Sequence, residues 1–187
     1  MSKIDLNALR DRAYKTACEH GFHDQELSNE HCLCLVISEL MKAVEADRKR
    51  KYFKGKIMFE RDFNLYSALV EENVRYRNAF EKHIKDTVGD KLADTVIRLL
   101  DLAGLRNLNL NRFALVNVVS KKKTFTENIH SIVKDITNYK YTLEELVNYA
   151  ITQVFVLSDI LDIDLLWHIE HKMKYNELRE DMYGKKY

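Results

Sequence analysis

The chain has 187 residues, of which 46% are hydrophobic and 32% charged, and its net charge is +1 at pH 7. That balance excludes a disordered chain and gives no global attraction to nucleic acid or to an anionic membrane surface. No apolar run approaches the roughly 20 residues of a membrane span, so neither a membrane nor a nucleic-acid partner is expected.

There is no proline, and glycine occurs five times. Proline breaks helix interiors, so this composition favours long uninterrupted helices. Three cysteines, an odd number, fit a reducing compartment. The segment MSKIDLNALRDR lacks the apolar core of a signal peptide. A cytoplasmic location and a single domain over 1–187 are the expectations.

The first helix is expected from Asp5 to His20, with Gly21 as its stop. His20 and His23 flank that glycine on differently directed backbone, a poor arrangement for metal. Ser28 is an N-cap candidate for a second helix running through HCLCLVISELMKAVEADRKRK. Cys32 and Cys34 face opposite ways on it and cannot share a zinc; buried structural thiols are the better reading. Glu39 lies within the apolar pattern, and Lys42 follows one turn on. The basic run from Lys42 to Lys56 suits a solvated helix end and could also collect a triphosphate.

A helix with polar interruptions is expected from Phe59 to Lys82, including Tyr66. The most apolar stretch follows, Lys85 to Gly104. Val88, Leu92, Val96, Leu99, Leu100 and Ala103 fall on one face at helical period. Asp90, Asp94 and Asp101 form an acidic line on another side, with Lys91 among them. That line is either a solvated face or a set of metal ligands, since a buried carboxylate needs a partner or an ion. LNRFALVNVVSKKK is ambiguous between a short helix and an extended segment. Thr124 or Thr126 could cap the next helix. Thr142 and Glu145 form a capping box for a core helix, and Leu165, Leu166, Ile169 and Met173 mark the last one. The fold class is therefore all-α, a bundle of roughly six helices.

His168 and His171 lack the spacing of helical zinc motifs, and GKKY at 184–187 lacks the upstream glycine of a P-loop. Trp167 is read as a core anchor. No nucleophilic triad is visible.

The segments ISELMKAVEADRKRK, FEKHIKDTVGDKLADTVIRLLDLAG, DLLWHIEHKMKYNELRE and GKKY together resemble the MazG-like, all-α nucleoside triphosphate pyrophosphohydrolases. The resemblance implies a helical bundle assembled as a homodimer or homotetramer. It implies an E-x-x-E pair facing an E-x-x-D pair, whose carboxylates hold Mg²⁺ while a triphosphate is cut to a nucleoside monophosphate and pyrophosphate. Carried over by position, Glu39 and Asp94 are the first and last of those carboxylates, catalytic and metal-binding, with Asp90 or Asp101 as a substitute ligand. Lys172 or Lys174, Asn176, Arg179, Lys185 and Lys186 would meet the nucleotide.

Two positions depart from the family: its second and third glutamates fall on Lys42 and Lys91. An ammonium cannot ligate magnesium. At about 4 Å and an effective dielectric near 20, each like-charge contact costs on the order of 4 kcal/mol. Three outcomes stay open. A reorganised site keeps Mg²⁺ and hydrolysis; the lysines grip phosphate in a catalytically silent nucleotide-binding or regulatory relative; or only a helical protein-interaction module survives.

Overall fold

The computed structural model describes residues 4–65, 67–110, 124–138, 140 and 142–179. Eight helices and no strands occur among them: α1 Leu6–Glu19, α2 Asn29–Arg48, α3 Lys56–Asn64, α4 Glu72–His83, α5 Val88–Leu105, α6 Phe125–Thr137, α7 Leu143–Ile160 and α8 Leu165–Glu177. None alone is long and apolar enough to cross a membrane.

Local chemistry sets most boundaries. Asp5, Ser28, Thr87 and Asp164 each accept a backbone N–H of the following turn through the side chain. Thr124 with Glu127, and Thr142 with Glu145, close complete capping boxes. Gly21 follows α1 with φ +74°, the left-handed conformation that ends a helix most readily in glycine.

The helix count exceeds the expected six mainly because the Phe59–Lys82 segment is a hairpin, not one helix. Phe59 on α3 must face the same aromatic cluster as Tyr76 and Phe80 on α4. Reversing the chain between them brings Phe59 edge-on to Tyr76, with ring centroids 5.9 Å apart. Residues 111–123 of the ambiguous segment and Tyr66 lie outside the described residues, as do Gly184, Lys185 and Lys186.

Helix α5 is the hub, packed against α1, α2, α7 and α8. Val88, Leu92, Val96, Leu99, Leu100 and Ala103 are all fully buried. Fully burying such a side chain is worth roughly 1.5–3 kcal/mol, so this face anchors the bundle. Two glycines let neighbours approach closely. A Cβ at Gly104 would lie 2.4 Å from Tyr14 Cβ on α1, and one at Gly89 would lie 2.5 Å from His168 Nε2 on α8.

Beside α8 sits a second cluster of Phe59, Tyr76, Phe80, Ile84 and Tyr175, with Phe53 and Trp167 packed against it. Trp167 stacks on Phe53 and His171, consistent with a packing role. His171 turns Nδ1 toward the Trp167 carbonyl at 2.9 Å. Burial pushes the His168 pKa down to about 4. These two histidines belong to the aromatic cluster. Cys32 is buried in the core of α2, whereas Cys18 and Cys34 are exposed, contrary to the expectation of buried thiols at both 32 and 34. Their spacing on α2 turns one inward and the other outward.

Candidate functional site

A half-buried line along α5, Lys91, Asp94, Ile97, Arg98 and Asp101, faces a cavity of about 140 Å³. Helix α1 closes one side with Ala13, Thr16 and Ala17. Helix α2 contributes Glu39 and Lys42, and α8 contributes Lys172, Met173, Tyr175 and Asn176, with Arg179 just beyond its end. Ligand pockets typically enclose about 300–1,000 Å³, so a nucleotide-sized ligand would lie partly in the open mouth.

The first turn of α5 builds the charged floor. Thr87 Oγ1 accepts the Asp90 N–H at 3.2 Å, and Asp90 Oδ2 accepts the Asp86 N–H at 2.8 Å. Asp90 is thereby drawn into the interior, fully buried. A carboxylate so placed needs cations, and two lysines supply them. Lys172 Nζ donates to Asp90 Oδ1 at 2.9 Å and lies 2.8 Å from Asp94 Oδ2. Lys91 Nζ lies 2.9 Å from Asp86 Oδ1, 3.2 Å from Asp90 Oδ2 and 3.6 Å from Asp94 Oδ2.

Burial alone would raise the Asp94 pKa; the Lys172 and Lys91 ammonium groups outweigh it and hold the carboxyl below its ordinary value. Burial alone would lower both lysines. Asp90 and Asp94 outweigh it for Lys91, and Asp94 and Asp90 for Lys172, so both lie above the ordinary lysine value. All three groups are therefore charged at neutral pH.

At the α2 end, Lys42 Nζ donates to Glu39 Oε1 at 2.8 Å. Glu39 is buried, and its Oε2 makes no hydrogen bond among the described residues. Lys42 thus lies against Glu39, whereas Lys91 is nearer Asp86 and Asp90 than Asp94.

Magnesium asks for near-octahedral oxygen coordination at about 2.0–2.1 Å. Here the Asp90 and Asp94 oxygens face ammonium nitrogens at 2.8–3.6 Å. No group of three or more His, Cys, Asp or Glu among the described residues is placed to hold a metal. The donor set does not fit a four-carboxylate magnesium cage, and Asp90 is spent on Lys172 and Lys91.

Of the expected nucleotide residues, Lys172, Asn176 and Arg179 line the cavity. Lys174 does not: it faces Glu72 at 3.4 Å and lies 4.4 Å above the Tyr76 ring, on the far side of α8. Two residues on from Lys172, it necessarily points elsewhere. Lys185 lies outside the described residues.

The sequence reading missed Phe22, Lys85 and Arg98. Arg98 had a signal, since it stands at i+4 from Asp94 on the line that ends at Asp101. Phe22 had none, because it follows the α1 stop and is brought in by tertiary packing. Asp101 is held by His23, with Nε2 2.7 Å from Oδ1. No family model, curated protein or solved structure matches this chain.

Proposed function

We propose that this pocket binds the phosphates of a nucleotide through ammonium and guanidinium groups, without Mg²⁺ and without releasing pyrophosphate. The observation that carries the reading is the charge of the lining. Among the described residues, six cationic side chains, Lys42, Lys85, Lys91, Arg98, Lys172 and Arg179, surround three carboxylates, Glu39, Asp94 and Asp101. Charge-assisted hydrogen bonds from such groups suit phosphate oxygens. Lys91 and Lys172 supply beside Asp94 the positive charge that a divalent ion supplies in the family this chain resembles. The protein is then a catalytically silent, nucleotide-binding relative of that family.

A second reading, Mg²⁺-dependent hydrolysis of a nucleoside triphosphate to the monophosphate and pyrophosphate, is favoured by Glu39. Its Oε2 is buried and unpartnered among the described residues, so it remains available to a cation or to a water proton.

The deciding experiment titrates ribo- and deoxynucleoside triphosphates into the protein with Mg²⁺ and with a chelator, and measures pyrophosphate release in parallel. Binding that survives the chelator, with no pyrophosphate released, is the expected result. Mg²⁺-dependent release by the wild-type chain overturns it in favour of hydrolysis. Release only by Lys42→Glu/Lys91→Glu indicates a silenced cage. Absence of nucleotide binding in every form defeats both readings.

A further inference from the structure

The pocket has a second end. Asp101 stands seven residues beyond Asp94, two turns along the same face of α5, or about 10.5 Å at 1.5 Å per residue. It lines the cavity beside Phe22 and Arg98, whose guanidinium carbon lies 5.7 Å from the Phe22 ring centre. Arg98 makes no ion pair among the described residues, and a flat ring and a planar guanidinium together offer a surface on which a base can stack.

The Asp101 carboxylate is fixed rather than mobile. His23 Nε2 lies 2.7 Å from Oδ1, and the His23 side chain retains only 8% of its exposure. At that distance a carboxylate oxygen accepts, and Nε2 is the donor. His23 Nδ1 is buried and has no hydrogen-bond partner among the described residues. Asp101 Oδ2 accepts no hydrogen bond among the described residues either, and Asp101 lines the cavity.

We propose that Asp101, oriented by His23, reads the base of the bound nucleotide, and that the base is guanine; this rests on the nucleotide reading above. An ionised carboxylate only accepts hydrogen bonds. Guanine presents two adjacent N–H donors, N1 and the N2 amine, that a carboxylate can take as a pair. Adenine and cytosine each place a ring acceptor beside their amine and would set a lone pair against Asp101. Uracil offers one N–H between two carbonyls. With the α-phosphate, the one bonded to the sugar, held at Lys91 and Lys172, a carboxylate two turns farther along meets the base edge.

The test is calorimetric titration of the full chain with GTP, ATP, ITP and dGTP in chelator. The expected result is GTP binding about ten- to a hundredfold tighter than ATP, the range of one bidentate base contact. ITP, which lacks the N2 amine, falls between them, and dGTP binds like GTP. Asp101→Asn abolishes the preference for GTP over ATP. Asp101→Glu, which keeps the charge but displaces it, also reduces the preference. Equal affinity for GTP and ATP in the wild-type chain overturns the proposal while leaving phosphate binding intact. A dGTP affinity as weak as that for ATP also overturns it, because the carboxylate then reads the ribose. Failure of every nucleotide to bind removes the nucleotide reading along with it.

Discussion

At the α5–α8 end of the pocket, the Lys91 and Lys172 side chains keep 12% and 6% of their exposure, and both ammonium groups lie against aspartates. At the α2 end, Lys42 keeps 48% and holds one oxygen of a glutamate whose other oxygen has no partner among the described residues. The same residue type therefore does two jobs. The buried lysines carry framework as well as facing the phosphate: their charge holds α8 to α5. An exposed lysine on a half-satisfied glutamate can exchange partners when an anion arrives. Substitution at the α2 end should accordingly change ligand binding with a small effect on stability, and substitution at the α5–α8 end should change both.

The largest effect tests that division directly. Lys172→Met leaves Asp90 buried with one cation fewer and should lower unfolding free energy by about 3–5 kcal/mol, the cost of breaking a buried pair from one side. Urea unfolding at pH 7 measures it; a loss below about 1 kcal/mol would erase the distinction between the two ends.

Next comes acid. His168 is held to about 4 from 6.5, chiefly by burial, so between those values the unfolded chain binds more protons than the folded one. Stability therefore falls as pH drops from 6.5 to 4, by about 3 kcal/mol from His168. Asp94, depressed in the folded state, contributes stability that is present above the ordinary aspartate pKa and lost below it, so it adds a second loss at lower pH. Lys91 and Lys172, raised in the folded state, hold their contribution up to the ordinary lysine value and lose it only above. Stability measured from pH 7 to below 3 for the wild type and His168→Gln separates the two acid stages, since the substitution should reduce the first alone, leaving there the share of His171, which burial also lowers.

Smaller still is Lys42→Met. Its ion pair has an exposed end, Lys42, and a buried one, Glu39, so stability should fall by about 1–2 kcal/mol, less than for Lys172→Met, while chelator-resistant triphosphate binding weakens about tenfold, as one charge-assisted contact implies. A stability loss rivalling that of Lys172→Met would make both lysines framework. Lys174→Ala, on the far side of α8, should change stability by about 0.5 kcal/mol or less and leave nucleotide titrations unchanged.

Helical periodicity made α5 legible, and each of the six apolar positions on its face is buried. Capping chemistry marked the starts of α2 and α7, and Thr124 was one of two cap candidates for α6. The α3–α4 reversal was not legible, because no proline or glycine marks it and its cause is a shared aromatic cluster formed by α8. The acidic line of α5 was visible, but the destinations of its members were not. Asp90 goes inward to Lys172, 82 positions away, and Asp101 goes to His23 across the α1 turn. Spacing along one helix cannot report which neighbouring helix supplies the counter-charge.

Gly89 gives the charged network a ruler. The His168 ring rests where a Cβ would be, and this contact fixes how far α8 lies from α5 and at what height. Lys172 is one turn beyond His168, and Asp90 is the residue after Gly89, so the same closeness lets an ammonium reach two carboxylates at once. The electrical balance of the pocket is thus metered by a hydrogen atom outside it. A side chain at position 89 would reset that balance without adding or removing any charge.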